Sequence, residues 1–332
     1  MTPRFTPPAP TLNRLARAGV LGLNARNLDF IAAHNPRKAL PLVDDKITTK
    51  EMAVEAGIAV PEQLAIIRHH GDFAPFRKVA EENGSLVIKP ARGSQGGGIF
   101  VSVGSGPSGL RKPSGKLVGW DGVRFHVANI LAGMYSLGGG RDRALIEERL
   151  EPHSAFEKVA LGGVPDVRLI VFRGVPAMAM LRLPTASSDG AANLHKGGVG
   201  AGVDLRTGLT NHAVMWDRPI DRHPDLQTPL RGFQVPLWEE TMLLAARLGD
   251  ATPLGYLGVD IVVDEERGPV LLEINARPGM AIQIANAAGL RPSLETIRAL
   301  EDVPADPAAR IALAREIEEQ VEKWRTGEGE PT

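Results

Sequence analysis

The sequence contains no cysteine. Disulfides, thiolate catalysis and sulfur-ligated zinc are therefore excluded, and any metal must rest on oxygen or imidazole ligands. Oxygen ligands favour hard ions such as magnesium. Net charge is also scarce: the formal balance is −1, which points away from a nucleic-acid binder or a polybasic membrane anchor. No apolar run approaches the roughly 20 residues of a membrane span. Pro3, Pro7, Pro8 and Pro10 interrupt the start of the chain, where a signal peptide needs an apolar core. Internal repeats are absent as well. A soluble, cytoplasmic protein is the expectation.

What is present suits a folded enzyme. The 332 residues, 43% of them hydrophobic, suffice for two ordinary domains or one two-lobed domain. A proline-rich arm precedes a helix-like stretch over residues 12–33 that Asn35-Pro36 interrupts. Asp45-Lys46-Ile47-Thr48-Thr49-Lys50 leads into a helix that Gly57 stops. Strands are predicted over 60–67, 86–90 and 99–103, with a helix over 73–83. Residues 104–122 read as a mobile connection, and 123–137 as a helix with Ile130, Met134 and Leu137 on one face. A strand over 144–150 runs into a hinge, and 167–172 pairs with 177–183 around Gly174. Residues 187–202 read as a polar, glycine-rich passage, and 238–249 as a helix. Strands near 256–263 and 269–275 precede a last helix from Asp306-Pro307, whose Leu313, Ile317, Val321 and Trp324 form one stripe. His69-His70 and Trp216 read as loop and core residues. The mixture argues an α+β fold.

Three constellations carry chemistry. The first is Asp260 with Glu273 and Asn275. Glu273 and Asn275 are two apart and share a strand face, and a hairpin tip at Glu266-Arg267 sets Asp260 opposite Glu273 and Gly258 opposite Asn275, where it leaves room. Two carboxylates and an amide on an apolar hairpin make an all-oxygen cation site, but the same pattern fits exposed positions of an alternating strand. The second is Lys89 in the strand Val87-Ile88-Lys89-Pro90, followed by Arg92-Gly93-Ser94-Gln95-Gly96-Gly97-Gly98. A lysine within an apolar strand needs an anion, and a glycine run lets peptide N–H groups approach phosphate oxygens. It is neither a Walker A loop nor a dinucleotide fingerprint, and a flexible hairpin tip with a snorkelling lysine is the bland alternative. The third is Asp166-Val167-Arg168 with Asn193-Leu194-His195-Lys196-Gly197-Gly198. Arg168 on a strand suits a transferring phosphoryl group. His195 and Lys196 alone read equally as a surface histidine and a solvated charge.

In this order the motifs resemble the ATP-grasp superfamily, most closely the RimK-like α-L-glutamate ligases, over residues 44–289. The resemblance implies two α+β lobes clasping ATP, a truncated N-terminal region and a C-terminal helix. It divides the chain into an arm and short helix (1–43), a lobe with the glycine loop (44–143), a metal-bearing lobe (144–300) and a helical tail (301–332). Lys46 and Lys89 would approach the phosphates under the loop Gly93, Ser94, Gln95, Gly96, Gly97 and Gly98. Glu147, Glu148, Arg149 and Leu150 would form the adenine hinge, with Glu148 or Asp166 at the ribose and Asn193 also near the nucleotide. Asp260, Glu273 and Asn275 would hold magnesium, with manganese as its stand-in. Arg168 and Lys89 would act in phosphoryl transfer, and Arg182, His195 and Lys196 would meet the substrate.

The implied reaction is carboxylate–amine ligation through an acyl phosphate, with glutamate or a related amino acid added to an amine acceptor that is a small molecule, peptide or protein. No nucleic-acid partner or membrane span is implied, and an oligomer is compatible with it. A different ATP-grasp product such as a thioester, or an ATP-binding regulator without turnover, are the rival outcomes. Two departures bear on the acceptor: the region before Asp44 is short for the usual N-terminal lobe, and the stretch from Leu150 to Asp166 is long. Lys196 stands where the family has arginine, which keeps the charge but loses bidentate geometry.

Overall fold

Helix α1 (Lys46–Glu55) starts where Asp45, in extended conformation, accepts a hydrogen bond from the Ile47 N–H at 3.1 Å, an N-cap. The structure, a computed structural model, describes residues 14–93, 96–136, 138–188 and 190–326. Ser94, Gln95 and Leu137 lie outside the described residues. Beyond α1 the chain builds an antiparallel sheet from β1 (Gln63–Ile67), β2 (Leu86–Pro90), β3 (Phe100–Ser102) and β7 (Ala144–Glu147), in the order β1-β7-β2-β3. Side chains alternate between its faces. Leu86, Ile88, Ala144 and Ile146 pack against α2 (Phe73–Asn83) and α3 (Trp120–Leu131) through Phe73, Phe76, Val123 and Val127. The other face carries Leu145, clustered with Ile47 of α1 and Ala91. Lys89 and Glu147 fall on this second face by the same period, and both are buried.

The larger sheet is antiparallel throughout, in the order β12-β11-β10-β9-β8-β13-β14. Its strands are β8 (Asp166–Phe172), β9 (Val175–Leu183), β10 (Val199–Val203), β11 (Thr210–Met215), β12 (Arg218–Pro219), β13 (Tyr256–Asp264) and β14 (Gly268–Asn275). Every residue of β13 is buried. Helices α4 (Trp238–Ala251), α5 (Arg291–Ala299) and α6 (Pro307–Thr326) cover the sheet. The segment before α1 joins the same core: Leu21, Phe30, Ile31, Ala39 and Val43 are buried in it, with Phe30 edge-on to Phe172 at 5.5 Å. Asn35 exchanges two 2.8 Å hydrogen bonds with the backbone of Tyr256. Because Ile47 faces the small sheet and Ala53 the large core, α1 is a wall shared by both lobes.

Several expectations need correction. Residues 104–122 are not a structureless connection: β4 (Gly104–Gly106), β5 (Gly109–Arg111) and β6 (Leu117–Gly119) form a small meander with Leu110 fully buried. Helix α3 begins at Trp120 and ends at Leu131, leaving Met134 exposed. The passage over 187–202 runs into β10 (Val199–Val203), whose two valines are separated by Gly-Ala-Gly, which masks the strand signal. Strand β11 had no counterpart in the sequence reading either. The buried face of α6 runs through Arg310, Ile311, Ala314, Ile317 and Val321, because Arg310 is paired with Asp250 at 2.6 Å and need not face water. Trp216 is 55% exposed at the β11–β12 turn rather than in the core.

Candidate active site

Across β13 and β14 the register pairs Asp260 with Glu273 and Gly258 with Asn275. The route to it differs from the hairpin expected. Asp264 pairs with Gly268 around a three-residue turn, Glu265 to Arg267, and a bulge between Asp260 and Ile261 shifts the count back by one. The extra residue is Leu272 of β14, and without it Glu273 would change faces. Gly258 makes room for Pro278 and not for Asn275: a Cβ there would sit 2.4 Å from the Pro278 Cβ.

Asp260 is 2% exposed and meets arginines from two neighbouring strands. Arg168 of β8 lies directly beside it in the register and donates from Nε and Nη2 to its two oxygens at 2.7 and 2.6 Å. Arg182 of β9 reaches the same carboxylate at 2.8 Å and donates from Nε to Asp166 at 2.6 Å. Asn275 Nδ2 lies 3.4 Å from Asp260. Burial pushes the Asp260 carboxyl upward, but Arg168 and Arg182 outweigh it and hold the group below its usual range. For Asp166 burial wins over Arg182, and with Asp260 adding to it the pKa rises to about 6. Burial alone would lower Arg182, yet Asp166 and Asp260 together raise it.

A second group faces it across the interlobe cleft. Lys89 of β2 contacts Glu147 of β7 at 2.5 Å, and Lys50 of α1 pairs with the same carboxylate while donating to the Pro61 carbonyl at 2.5 Å. Burial lowers the Lys50 pKa, with Glu147 opposing. Lys46 lies 3.0 Å from Glu273 and donates to the Gly93 carbonyl at 2.8 Å. Lys46, Lys50, Lys89, Glu147 and Glu273 line one pocket between the lobes.

The family model described as sugar-transfer associated ATP-grasp matches residues 25–299. The chain belongs to this ATP-grasp family. Its α+β architecture of two lobes around a cleft is the ATP-grasp fold that the motif order implies. Among solved structures the chain is similar to the ATP-grasp ligase PsnB complexed with a minimal precursor, at 14% identity and a TM-score of 0.44, covering 80% of this chain and 63% of that one. It is similar to a RimK domain ATP-grasp protein from Sphaerobacter thermophilus at 15% identity and a TM-score of 0.44, covering 79% and 70%. D-alanyl-alanine synthetase A from Vibrio cholerae gives 11% identity and a TM-score of 0.45, covering 86% and 66%. The chain thus spans 63% of the length of PsnB. Comparison with curated protein sequences gives no match.

The remaining residues expected at an ATP-grasp site take varied positions. In the hinge, Glu148 pairs with Arg267 at 2.6 Å and receives the Glu62 N–H, which ties β1 to the β13–β14 turn. Arg149 pairs with Glu151, and Leu150 is buried against Val262 and Val270. Asp166, the other ribose candidate, is buried against Arg182. Arg182, expected at a substrate carboxylate, instead bridges Asp166 and Asp260. Asn193 Oδ1 accepts from the His195 N–H at 2.9 Å at the start of a short turn (Leu194–Lys196), where His195 and Lys196 are exposed. A Cβ at Gly96 would lie 3.8 Å from Lys196 Nζ, so the two glycine-rich loops meet across the cleft. His126 bonds the Gly98 carbonyl at 2.9 Å and anchors the loop's far end.

Lys50 is the site residue that the sequence reading missed. Its signal was the spacing of four from Lys46, which sets both lysines on one face of α1. Asp260 and Glu273 are direct cross-strand partners of the donor type a hard cation takes. Arg168 and Arg182 nevertheless hold both Asp260 oxygens, Lys46 pairs with Glu273 and Asn275 turns its Nδ2 to Asp260, so an ion would have to displace these partners. Among the described residues no group of three or more histidine and carboxylate side chains is arranged to hold a metal. An ion here would therefore rest on two carboxylates, an amide and oxygens supplied by the nucleotide. No helix among the described residues is long and apolar enough to cross a membrane.

Proposed function

We propose that this protein is an ATP-dependent ligase that activates a carboxylate as an acyl phosphate and passes it to an amine. The observation that carries the reading is the pocket in which two buried lysines, Lys50 and Lys89, share one carboxylate, Glu147. Two buried cations on one anion leave a positive surplus that an incoming polyanion would satisfy. Lys46, Lys50 and Lys89 would bind the ATP phosphates beneath Gly93 and the loop from Gly96 to Gly98. Glu147, Glu148, Arg149 and Leu150 would hold the nucleoside end. Asp260, Glu273 and Asn275 would hold magnesium, which when bound supplies positive charge against the β- and γ-phosphates.

In the first step a substrate carboxylate oxygen attacks the γ-phosphorus, the bond to the bridging oxygen breaks, and ADP leaves. Arg168 would stabilise charge on the transferring group, because its guanidinium is held in place by Asp260 at the floor of the large sheet. The amine then attacks the acyl carbon, phosphate departs with the bonding pair, and the nitrogen loses a proton to solvent. Lys196, poised by Gly96, and His195 would meet the substrates at the mouth. An amino acid such as glutamate is the expected partner in this ligation. PsnB is a ligase solved in complex with a precursor peptide, so peptides belong in the screen. The family's association with sugar transfer adds amine-bearing sugars as acceptors.

The test is to incubate the protein with ATP, magnesium, hydroxylamine and a panel of carboxylates. Hydroxamate is expected with at least one carboxylate, together with stoichiometric ADP. Arg168→Ala should lose most of the hydroxamate, about a hundredfold for one preorganised donor, while calorimetry still shows ATP binding. ATP hydrolysis with no hydroxamate across the panel would overturn the ligase reading in favour of a nucleotide-driven switch.

A further inference from the structure

The β11–β12 turn places Trp216 and Asp217 at φ 52° and 57°. Consecutive left-handed residues define the turn type that Asn-Gly adopts without strain, and a bulky residue there costs stability. A strained aromatic residue that is 55% exposed contributes little to the core in return. Its ring lies against the loop over residues 193–198: a Cβ at Gly197 would stand 2.7 Å from Trp216 Cζ2, and Gly197 itself has φ 93°. The preceding residue is Lys196, whose Nζ approaches Gly96 of the phosphate loop. One short turn thus connects an open indole face to the rim of the nucleotide cleft. His195 and Lys196, beside Gly197 in the chain, and Asp217 and Arg218, which follow Trp216, are all exposed.

We infer that Trp216 is a specificity-determining residue of the acceptor subsite, stacking on the ring of an amine-bearing sugar. An exposed apolar ring whose chain and loop neighbours are exposed charged residues matches a molecule with one apolar face and an edge of hydroxyl groups. A purely aliphatic amine would use only the ring, and a small polar amine only those neighbours. The inference rests on the ligase reading, and hydroxylamine separates the two. As a small nucleophile it reports acyl phosphate formation without using the acceptor subsite.

The experiment compares native protein, Trp216→Phe, Trp216→Leu and the double variant Trp216→Asn with Asp217→Gly. Each is assayed for ATP binding, hydroxamate formation, and KM and kcat with glucosamine, an alkylamine and an amino acid amide. Expected are native-like ATP binding and hydroxamate in all four. The KM for glucosamine should rise about tenfold in Trp216→Leu, as for loss of one stacking face, and much less in Trp216→Phe, with kcat little changed. The double variant should melt no lower than native, since Asn-Gly relieves the turn, yet show the raised KM. A purely structural Trp216 would instead lower the melting temperature of that variant and leave the KM alone. Unchanged KM in Trp216→Leu, or coupling of alkylamines but not glucosamine, overturns the inference even when hydroxamate forms. Absence of hydroxamate in native protein strikes the ligase reading itself.

Discussion

In the small lobe one carboxylate, Glu147, serves two lysines, whereas in the large lobe two carboxylates, Asp166 and Asp260, serve two arginines. The arginine set is balanced and geometrically saturated: planar forks meet paired oxygens across three adjacent strands. The lysine set carries surplus charge on flexible stems, and burial already lowers the Lys50 pKa. The difference suggests a division of labour. The large lobe's paired charges are balanced before any ligand arrives, and the small lobe holds a positive surplus that a nucleotide would offset.

The largest expected effect strikes the balanced side. Asp260→Asn keeps the shape but leaves Arg168 and Arg182 short of a buried partner. Urea unfolding of the unliganded protein should show a loss of about 3–5 kcal/mol, the cost of an uncompensated buried charge. A loss near zero would mean that water reaches both arginines and that the floor is not preorganised.

This asymmetry was only half legible in the sequence. The pairing of Asp260 with Glu273 followed from counting along the hairpin, although a three-residue turn plus a bulge at Leu272 produced it. Lys89 and Arg168 stood out because charged residues interrupt apolar strands. Which charges they meet did not, since Glu147 lies 58 positions beyond Lys89, and Arg168 and Arg182 reach Asp260 only once β8, β9 and β13 are in register. Strand β10 escaped because its glycines give no apolar period, and the strand functions by letting Leu194 approach Gly200 closely. The stretch over 12–33 reads only as a local helix-like segment, yet its Phe30 and Ile31 belong to the large core through contacts made some 140 to 225 residues away. Local periodicity reports elements; long-range register decides which charges meet.

A smaller effect tests the lysine side. Lys89→Ala removes one of the two cations on Glu147, so Lys50 alone then balances it. The fold should tolerate this better than Asp260→Asn, because a one-to-one pair remains. Calorimetry should instead show ATP affinity weakened by about 1.5–3 kcal/mol, the range of a charge-assisted phosphate contact. If Lys89→Ala destabilised the unliganded protein as much as Asp260→Asn does, the surplus would be structural and the contrast between lobes would fail.

The smallest effect lies in pH. Burial raises the Asp166 pKa to about 6, above the unfolded value of 3.8. The folded state therefore binds the extra proton more tightly than the unfolded chain between those values. The stability that Asp166 contributes is fully present below the unfolded pKa and is lost as pH rises through about 6. Asp260 has the opposite sign: its lowered pKa adds stability above the usual carboxylate range and loses it in acid. Asp166→Asn isolates the first contribution, because Arg182 keeps its contact with Asp260. Between pH 5 and 7 the native protein should lose about 1 kcal/mol relative to that variant, from one titration crossed at 1.36 kcal/mol per unit. Urea titrations of both proteins at several pH values would read it. A difference that stays flat, or grows with pH, would show that Asp166 is fully charged in the fold and that Arg182 holds both carboxylates alike.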